Sequence, residues 1–96
     1  MAYRVGWSPR ALTDVEEIAA FIEKDSPLYA QAVVTKIVRS TAKLSDFPQV
    51  GRIVPELNQA EFRELFVYSY RVIYHISTDT VTVVAVIHGK RLLVSS

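Results

Sequence analysis

The apolar residues of this chain change their period once, and that change limits the folds open to it. Up to about Leu44 they recur at helical spacing, first as Ala11, Val15, Ile18 and Ile22, then as Ala30, Val33, Ile37, Thr41 and Leu44. From Phe62 onward they fall in β-branched and aromatic runs, FRELFVY, YRVIYHIS and TVTVVAVIHG, residues suited to a pleated, half-buried surface. Helices gathered ahead of a block of strands predict an α+β domain, with a helical hairpin packed on one face of an antiparallel meander.

Each helix carries a start signal. Ser8-Pro9 and Ser26-Pro27 both place a side-chain oxygen at the N-cap and a proline at the first helical position, where the missing N–H is not needed. Asp14, Glu16 and Glu17 sit in early turns, where the helix dipole favours acids. The first helix is predicted to run to about Lys24 and the second to end before Phe47-Pro48. So short a connection makes them a hairpin. Ahead of them, Tyr3-Arg4-Val5-Gly6-Trp7 alternates briefly and reads as a strand. After them, FPQVGRIVPELNQAE has two prolines, a glycine and little periodicity, so it is expected to be a loop, long enough to suggest a role.

A two-residue loop at Thr78-Asp79 would set Tyr74 opposite Val83, Val72 opposite Ala85 and Arg71 opposite Val86. One face would then carry Tyr70, Val72, Tyr74, Ile76, Val81, Val83, Ala85 and Ile87 and receive the hairpin. The other would carry Arg71, Ile73, His75, Thr82, Val84, Val86 and His88, a mixture that is neither plain core nor plain solvent face. The turn at Tyr68-Ser69 could hold two or three residues, which leaves open whether Arg63 shares a face with Arg71.

The chain of 96 residues is expected to be one domain, residues 1–96, of a size that hides roughly 65% of the unfolded surface. Half of its residues are hydrophobic, more than so small a core can take, so an exposed apolar patch and a protein partner are expected. With 11 Lys and Arg against 10 Asp and Glu the net charge is +1, which argues against general coating of nucleic acid. Residues 62–96 are locally basic, with Arg63, Arg71, Lys90 and Arg91 against Glu64 and Asp79. There is no cysteine, so disulfides and thiolate metal sites are excluded and a reducing cytosol suits the chain. The longest apolar run near the end, Val83–Ile87, is far short of a membrane span, and Met1–Trp7 lacks the layout of a signal peptide. A cytoplasmic protein with no membrane association is expected.

The best candidate site lies at one end of the sheet. On the predicted register His88 is a diagonal neighbour of Arg71, and Lys90 and Arg91 follow directly after Gly89. For phosphoryl chemistry on RNA, arginine can stabilise charge on phosphorus while a group titrating near neutrality moves protons. His88 could serve as that group, with Glu64 the second choice of base. Arg71 stands out as a charge inside a hydrophobic strand, whereas His75 reads as an ordinary sheet residue and Arg63 as a partner for Glu64 or Glu61. The two histidines are thirteen residues apart and no HxxxH is present, so no metal is expected. The glycines Gly6, Gly51 and Gly89 form no phosphate loop and GxSxG is missing, so no cofactor is expected.

Six strings in order cover nearly the whole chain: Trp7-Ser8-Pro9 leading to Ala11 and Asp14-Val15; Asp25-Ser26-Pro27; Phe47-Pro48 with Gly51-Arg52 and Val54-Pro55-Glu56; Arg63-Glu64-Leu65; Tyr70-Arg71-Val72-Ile73-Tyr74; and Val86-Ile87-His88-Gly89-Lys90-Arg91. In these strings and in the order of its elements the chain resembles the RelE/ParE superfamily of toxins from type II toxin–antitoxin systems. The resemblance implies a cognate antitoxin, in a hetero-oligomer, and one of two targets. RelE-type members are endoribonucleases that cut mRNA on the ribosome; ParE-type members poison DNA gyrase on the same scaffold.

By resemblance, Arg71 and Arg91 match two arginines of the nucleases and Arg63 falls at one of their lysines, while Leu65 falls at another and carries no charge. The sequence stops five residues past Arg91 without the terminal helix and tyrosine of the nucleases, so an RNase would rely on Arg71, Arg91, Lys90 and His88. The ParE-like expectation is therefore a non-enzymatic gyrase inhibitor causing growth arrest, with a role in plasmid stabilisation, and with Arg63, Arg71, Lys90 and Arg91 as target-binding residues. The alternatives are a ribosome-dependent endoribonuclease and a degenerate toxin acting only within an antitoxin-bound repressor complex.

Overall fold

Both Ser-Pro pairs start helices. A computed structural model describes residues 2–93. Its elements are β1 (Arg4–Trp7), α1 (Pro9–Glu23), α2 (Pro27–Ala42), a 3-10 turn (Lys43–Ser45), β2 (Arg52–Ile53), β3 (Phe62–Val67), β4 (Tyr70–Ile76) and β5 (Thr80–His88). Ser8 Oγ accepts from the Ala11 amide and Ser26 Oγ from the Tyr29 amide, each at 3.1 Å, so the caps work as the sequence predicts. None of the described helices is long and apolar enough to cross a membrane. Residues 94–96, on which the expectation of no terminal helix partly rests, lie outside the described residues.

The strands form one five-stranded sheet in the order β1-β5-β4-β3-β2. The meander β3–β4–β5 is antiparallel, and β1 joins its edge parallel to β5. Two residues read as loop, Arg52 and Ile53, add a short strand to the other edge, opposite Glu64 and Arg63. A strand of two residues is too short to show alternation, which is why no periodicity announced it.

The hairpin covers one sheet face. Ala11, Val33 and Ile37 pack with Val67, Val72, Val83 and Val86, all buried, and Trp7, Val15, Ile18, Ile22 and Tyr70 complete the layer. Full burial of a side chain such as Ile37 contributes roughly 1.5–3 kcal/mol. The opposite face is not open. Ile73, Ala85 and Ile87 meet Val54 and Leu57 from the long connection and Leu93 from the segment after β5.

The predicted register holds near the Thr78-Asp79 loop and fails farther out. Tyr74 does lie opposite Val83, but Val72 lies opposite Val86 and Arg71 opposite Ile87. The shift falls between Ile73, opposite Ala85, and Tyr74, so Val84 is the extra residue of a β-bulge. One inserted residue reverses the phase of every side chain beyond it. Ala85 and Ile87, assigned above to the helical face, therefore lie on the other one, and Val86 makes the reverse move.

The bulge is tied to α1. Beyond Trp7, β1 no longer pairs with β5, and the first turns of the helix satisfy the exposed edge. The Ser8 amide donates to the Val83 carbonyl at 2.9 Å, Ser8 Oγ donates to the Val84 carbonyl at 3.1 Å, and Asp14 Oδ2 accepts from the Val86 amide at 2.9 Å. Side chains of a helix thus replace the missing strand, leaving these buried backbone groups paired.

The turn at Tyr68-Ser69 has two residues, because Val67 lies opposite Tyr70, and Tyr68 takes a positive φ of 52°. Arg63 consequently faces Tyr74, and Arg71 faces Phe66. Arg63 and Arg71 lie on opposite sides of the sheet.

Candidate functional site

Arg71 belongs to an apolar strand yet its side chain is only 5% exposed. A buried cation in such surroundings demands counter-charge, and two carboxylates supply it. Arg71 Nε donates to Glu64 Oε1, while Nη1 and Nη2 donate to the two oxygens of Glu56, all at 2.7 Å. Nη1 also donates to the Arg91 carbonyl at 2.9 Å. Glu64, opposite Ile73 and so a diagonal neighbour of Arg71 on the same sheet face, has a fully buried side chain and takes a second cation, Arg52, on its other oxygen. The Arg52 guanidinium lies 4.9 Å from the centre of the Phe66 ring. Arg52, Glu64, Arg71 and Glu56 form one alternating chain of charges across the face remote from the helices.

This network holds the segment after β5. Glu56 Oε2 accepts from the Leu93 amide at 2.8 Å, and the Arg91 carbonyl is held by Arg71. The hydrogen bonds from Arg71, reinforced by the Leu93 amide, pull the Glu56 carboxyl down from 4.5 to about 2. Arg71 is itself raised above the ordinary arginine range, chiefly by its bonds to Glu56. Among the described residues no buried side-chain polar atom lacks a hydrogen-bond partner.

A consequence for stability follows from the sign of that shift. A carboxyl that is more acidic in the folded state contributes stability that is fully present above its unfolded value near 4.5 and lost as pH falls towards about 2. Stability measured by urea midpoints between pH 5 and pH 2 is expected to drop, and Glu56→Gln is expected to lower it at pH 7 while flattening that acid limb. An unchanged acid limb in Glu56→Gln would show that other carboxyls carry it.

The structure separates the residues that the sequence brought together. His88 lies opposite Tyr70, on the side of the helices, because the bulge at Val84 moves it off the Arg71 face. Its ring meets Tyr70 edge-on with centres 5.8 Å apart, and Nδ1 accepts from the Lys90 amide at 3.2 Å. Lys90 and Arg91 are exposed, and their side chains make no ion pair among the described residues. Arg91 lines a depression of about 450 Å³ together with Arg10, Asp14, Phe21, His88 and Leu92. It also borders a second one, of about 360 Å³, beside Arg52, Glu56 and Lys90.

Arg63 braces a loop. Its guanidinium donates to the carbonyls of Ala60 at 3.0 Å, Gln49 at 3.2 Å and Gly51 at 3.1 Å. His75 stacks on Phe62 with ring centres 4.7 Å apart, as an ordinary sheet residue would. Leu65, opposite Val72, packs into the core between hairpin and sheet, where a lysine charge would have to be buried.

Glu56, Arg52 and Tyr74 were given no role by the sequence. The signal that could have found Glu56 was Arg71 itself, since a charge in a hydrophobic strand implies an acidic partner. Tyr74 is wholly buried; its hydroxyl donates to the Pro48 carbonyl at 2.7 Å and accepts from the Gly51 amide at 3.0 Å. Burial pushes its pKa upward. Only the folded loop shows what this tyrosine holds.

Chemically, four of the five N–H donors of Arg71 are used internally, so the group binds protein and leaves little for a ligand. The available cations at this end of the sheet are Lys90 and Arg91, with Arg52 partly engaged.

The family model described as ParE toxin of type II toxin-antitoxin system, parDE, matches residues 5–93. Toxin RelE2 of Caulobacter vibrioides is 32% identical over 90 residues, covering 93% of this chain and 98% of the relative. Among solved structures, the chromosomal ParDE toxin–antitoxin system of P. aeruginosa matches with a TM-score of 0.74 at 16% identity, over 91% of this chain and 96% of that one. The RelBE2 toxin–antitoxin complex of Mycobacterium tuberculosis matches with a TM-score of 0.58 at 24% identity, over 92% of each chain. At such identities the structures speak for the fold, two helices on a mixed sheet, and the family model with the curated relative speaks for descent. This chain belongs to the ParE toxin family of type II toxin–antitoxin systems, within the RelE/ParE superfamily.

Proposed function

We propose that this toxin acts as a single domain that binds and inhibits DNA gyrase, without catalysing a reaction, and that a cognate antitoxin neutralises it in the cytoplasm. The observation that carries the reading is the capture of Arg71 by Glu56 and Glu64. A nuclease of this scaffold needs an arginine free to meet a phosphate and a proton-moving group beside it. Here the arginine is buried in ion pairs and His88 lies on the other side of the sheet. Of the basic residues marked for target contact, Lys90 and Arg91 are the exposed ones; Arg63 and Arg71 hold the surface from beneath.

The antitoxin reading is supported by large apolar side chains left in solvent, among them Phe21 (68% exposed), Phe66 (55%) and Leu92 (75%), and by the toxin–antitoxin complexes in which the solved neighbours occur. An amphipathic segment laid over such residues would remove them from water. The test is a parallel assay of targets. Purified toxin is expected to block gyrase supercoiling or trap cleaved DNA, while mRNA on translating ribosomes stays intact. Full gyrase activity at micromolar toxin sinks the proposal.

The endoribonuclease reading draws on the relative named Toxin RelE2 and on Lys90, Arg91 and Arg52 around one depression. It requires new toeprints that vanish in Lys90→Ala and Arg91→Ala. Absence of growth arrest on expression alone would instead favour a toxin reduced to antitoxin binding.

A further inference from the structure

The outer face of the hairpin, turned away from the sheet, is divided by charge. Helix α1 holds Asp14, Glu16, Glu17 and Glu23 against one base, Arg10, which is paired with Asp14 at 3.6 Å; Lys24 follows at its C-cap. Helix α2 has Lys36 and Arg39, continued by Lys43 at its C-cap, and no acid at all. Glu16, Glu23, Lys36, Arg39 and Lys43 are all exposed. Although the two helices pack side by side, none of these five charges makes an ion pair among the described residues.

Between the two charged strips the face is apolar. Antiparallel helices joined by a short turn set abreast the residues that are equally far from it, and Leu12 and Val38 each stand thirteen positions from Asp25. Each is half exposed. Leu12, Glu16 and Glu23 follow at i, i+4 and i+11, so the two acids lie on the Leu12 side of α1, while Ala11, Val15, Ile18 and Ile22 face the core. On α2, Leu28 and Arg39 are eleven positions apart and share one line, and Leu28 is the more exposed of the large aliphatic residues there. An apolar seam flanked by one acidic and one basic strip suits a protein partner.

We propose that this partner is a second copy of the chain, docked hairpin to hairpin about a two-fold axis that runs along the seam. Such an axis lays α1 of each copy on α2 of the other, so acidic strip meets basic strip twice and Leu12 meets Val38 twice. An axis across the seam would stack α1 on α1 and set like charges together. The face is complementary to itself, whereas an acidic partner would be repelled by α1 and a basic one by α2. Two helices, each roughly 22 Å long and about 10 Å wide, give a footprint of about 450 Å² per copy, short of the roughly 800 Å² of a stable interface. The dimer is therefore weak and forms in the micromolar range. It leaves free Phe21, which lines the depression beside β5, and Phe66, which lies under Arg52, and it does not depend on gyrase being the target.

The test is sedimentation equilibrium of the purified toxin alone, up to about 300 µM. A monomer–dimer equilibrium is expected, with a dissociation constant that rises with salt as the strips are screened. Glu16→Lys with Glu23→Lys, and separately Lys36→Glu with Arg39→Glu, are each expected to weaken the dimer by about tenfold or more. All four changes in one chain exchange the signs of the two strips, keep the net charge and are expected to restore it. Leu12→Ser is expected to weaken association without touching a charge, and Phe66→Ser, on another surface, to leave it unchanged. Circular dichroism and urea midpoints show which variants remain folded. A monomer at every concentration, association unaltered by either double reversal, or a folded fourfold variant that stays monomeric overturns the proposal.

Discussion

Replacing Arg71 by alanine is expected to cost about 3–5 kcal/mol of folding stability, the largest effect of any single change to the charged network. The substitution leaves Glu64, whose side chain is wholly buried, with only the more exposed Arg52 as partner, and strips Glu56 of both its guanidinium bonds. It also releases the Arg91 carbonyl, so the segment over Ile73 and Ile87 loses one of its anchors. Urea unfolding at pH 7 should show the midpoint shift with an unchanged slope. Because breaking a buried pair differs from replacing it, Arg71→Met combined with Glu64→Gln and Glu56→Gln is expected to recover much of the loss. A loss below 1 kcal/mol in Arg71→Ala would mean that the network is solvated and that Arg71 is free to serve a ligand, which would also undercut the non-enzymatic reading.

Gly51→Ala is expected to destabilise by about 1–3 kcal/mol or more, although glycine to alanine is otherwise a stabilising change in many loops. The reason is space. A Cβ at Gly51 would stand 2.6 Å from the Glu64 carbonyl oxygen and 2.6 Å from the Tyr74 hydroxyl oxygen. One obstacle is backbone in the ladder between β2 and β3; the other is a buried phenol already bonded to Pro48 and Gly51. Neither can move without breaking its own bonds. In a domain of this size, each kcal/mol lowers Tm by roughly 4–8 °C, so thermal denaturation resolves the effect. Tyr74→Phe in the same background is expected to relieve only part of it, since the Glu64 carbonyl remains. A variant as stable as the parent would show that the 48–51 loop can shift away from the sheet, and with it the brace made by Arg63.

Much of the architecture was legible because it rests on local rules. The Ser-Pro starts set both helices, the period of three to four set which faces they bury, and the alternation after Phe62 set a meander whose Thr78-Asp79 turn has the expected length. The strings Gly51-Arg52 and Val54-Pro55-Glu56 pointed to the family without revealing what their residues do. The strand β2 was invisible because its partner, β3, supplies the reason for its shape. Arg71 was recognised as unusual from its neighbours in sequence, but its role reads differently once Glu56 is seen.

What the sequence by itself determined was the order and kind of the longer elements, the short strand β2 excepted, together with the family and the oddity of a charge at Arg71, since propensity, capping and period act over a few residues. What only the tertiary structure decided was which side chains meet. A single extra residue at Val84, held by Ser8 and Asp14 of a distant helix, turns His88 away from Arg71. A carboxylate fifteen residues before Arg71 folds over it. Faces in a sheet are decided by a count of residues between pairing partners, and ion pairs by which chain segments cross. Both are long-range quantities that no local pattern encodes.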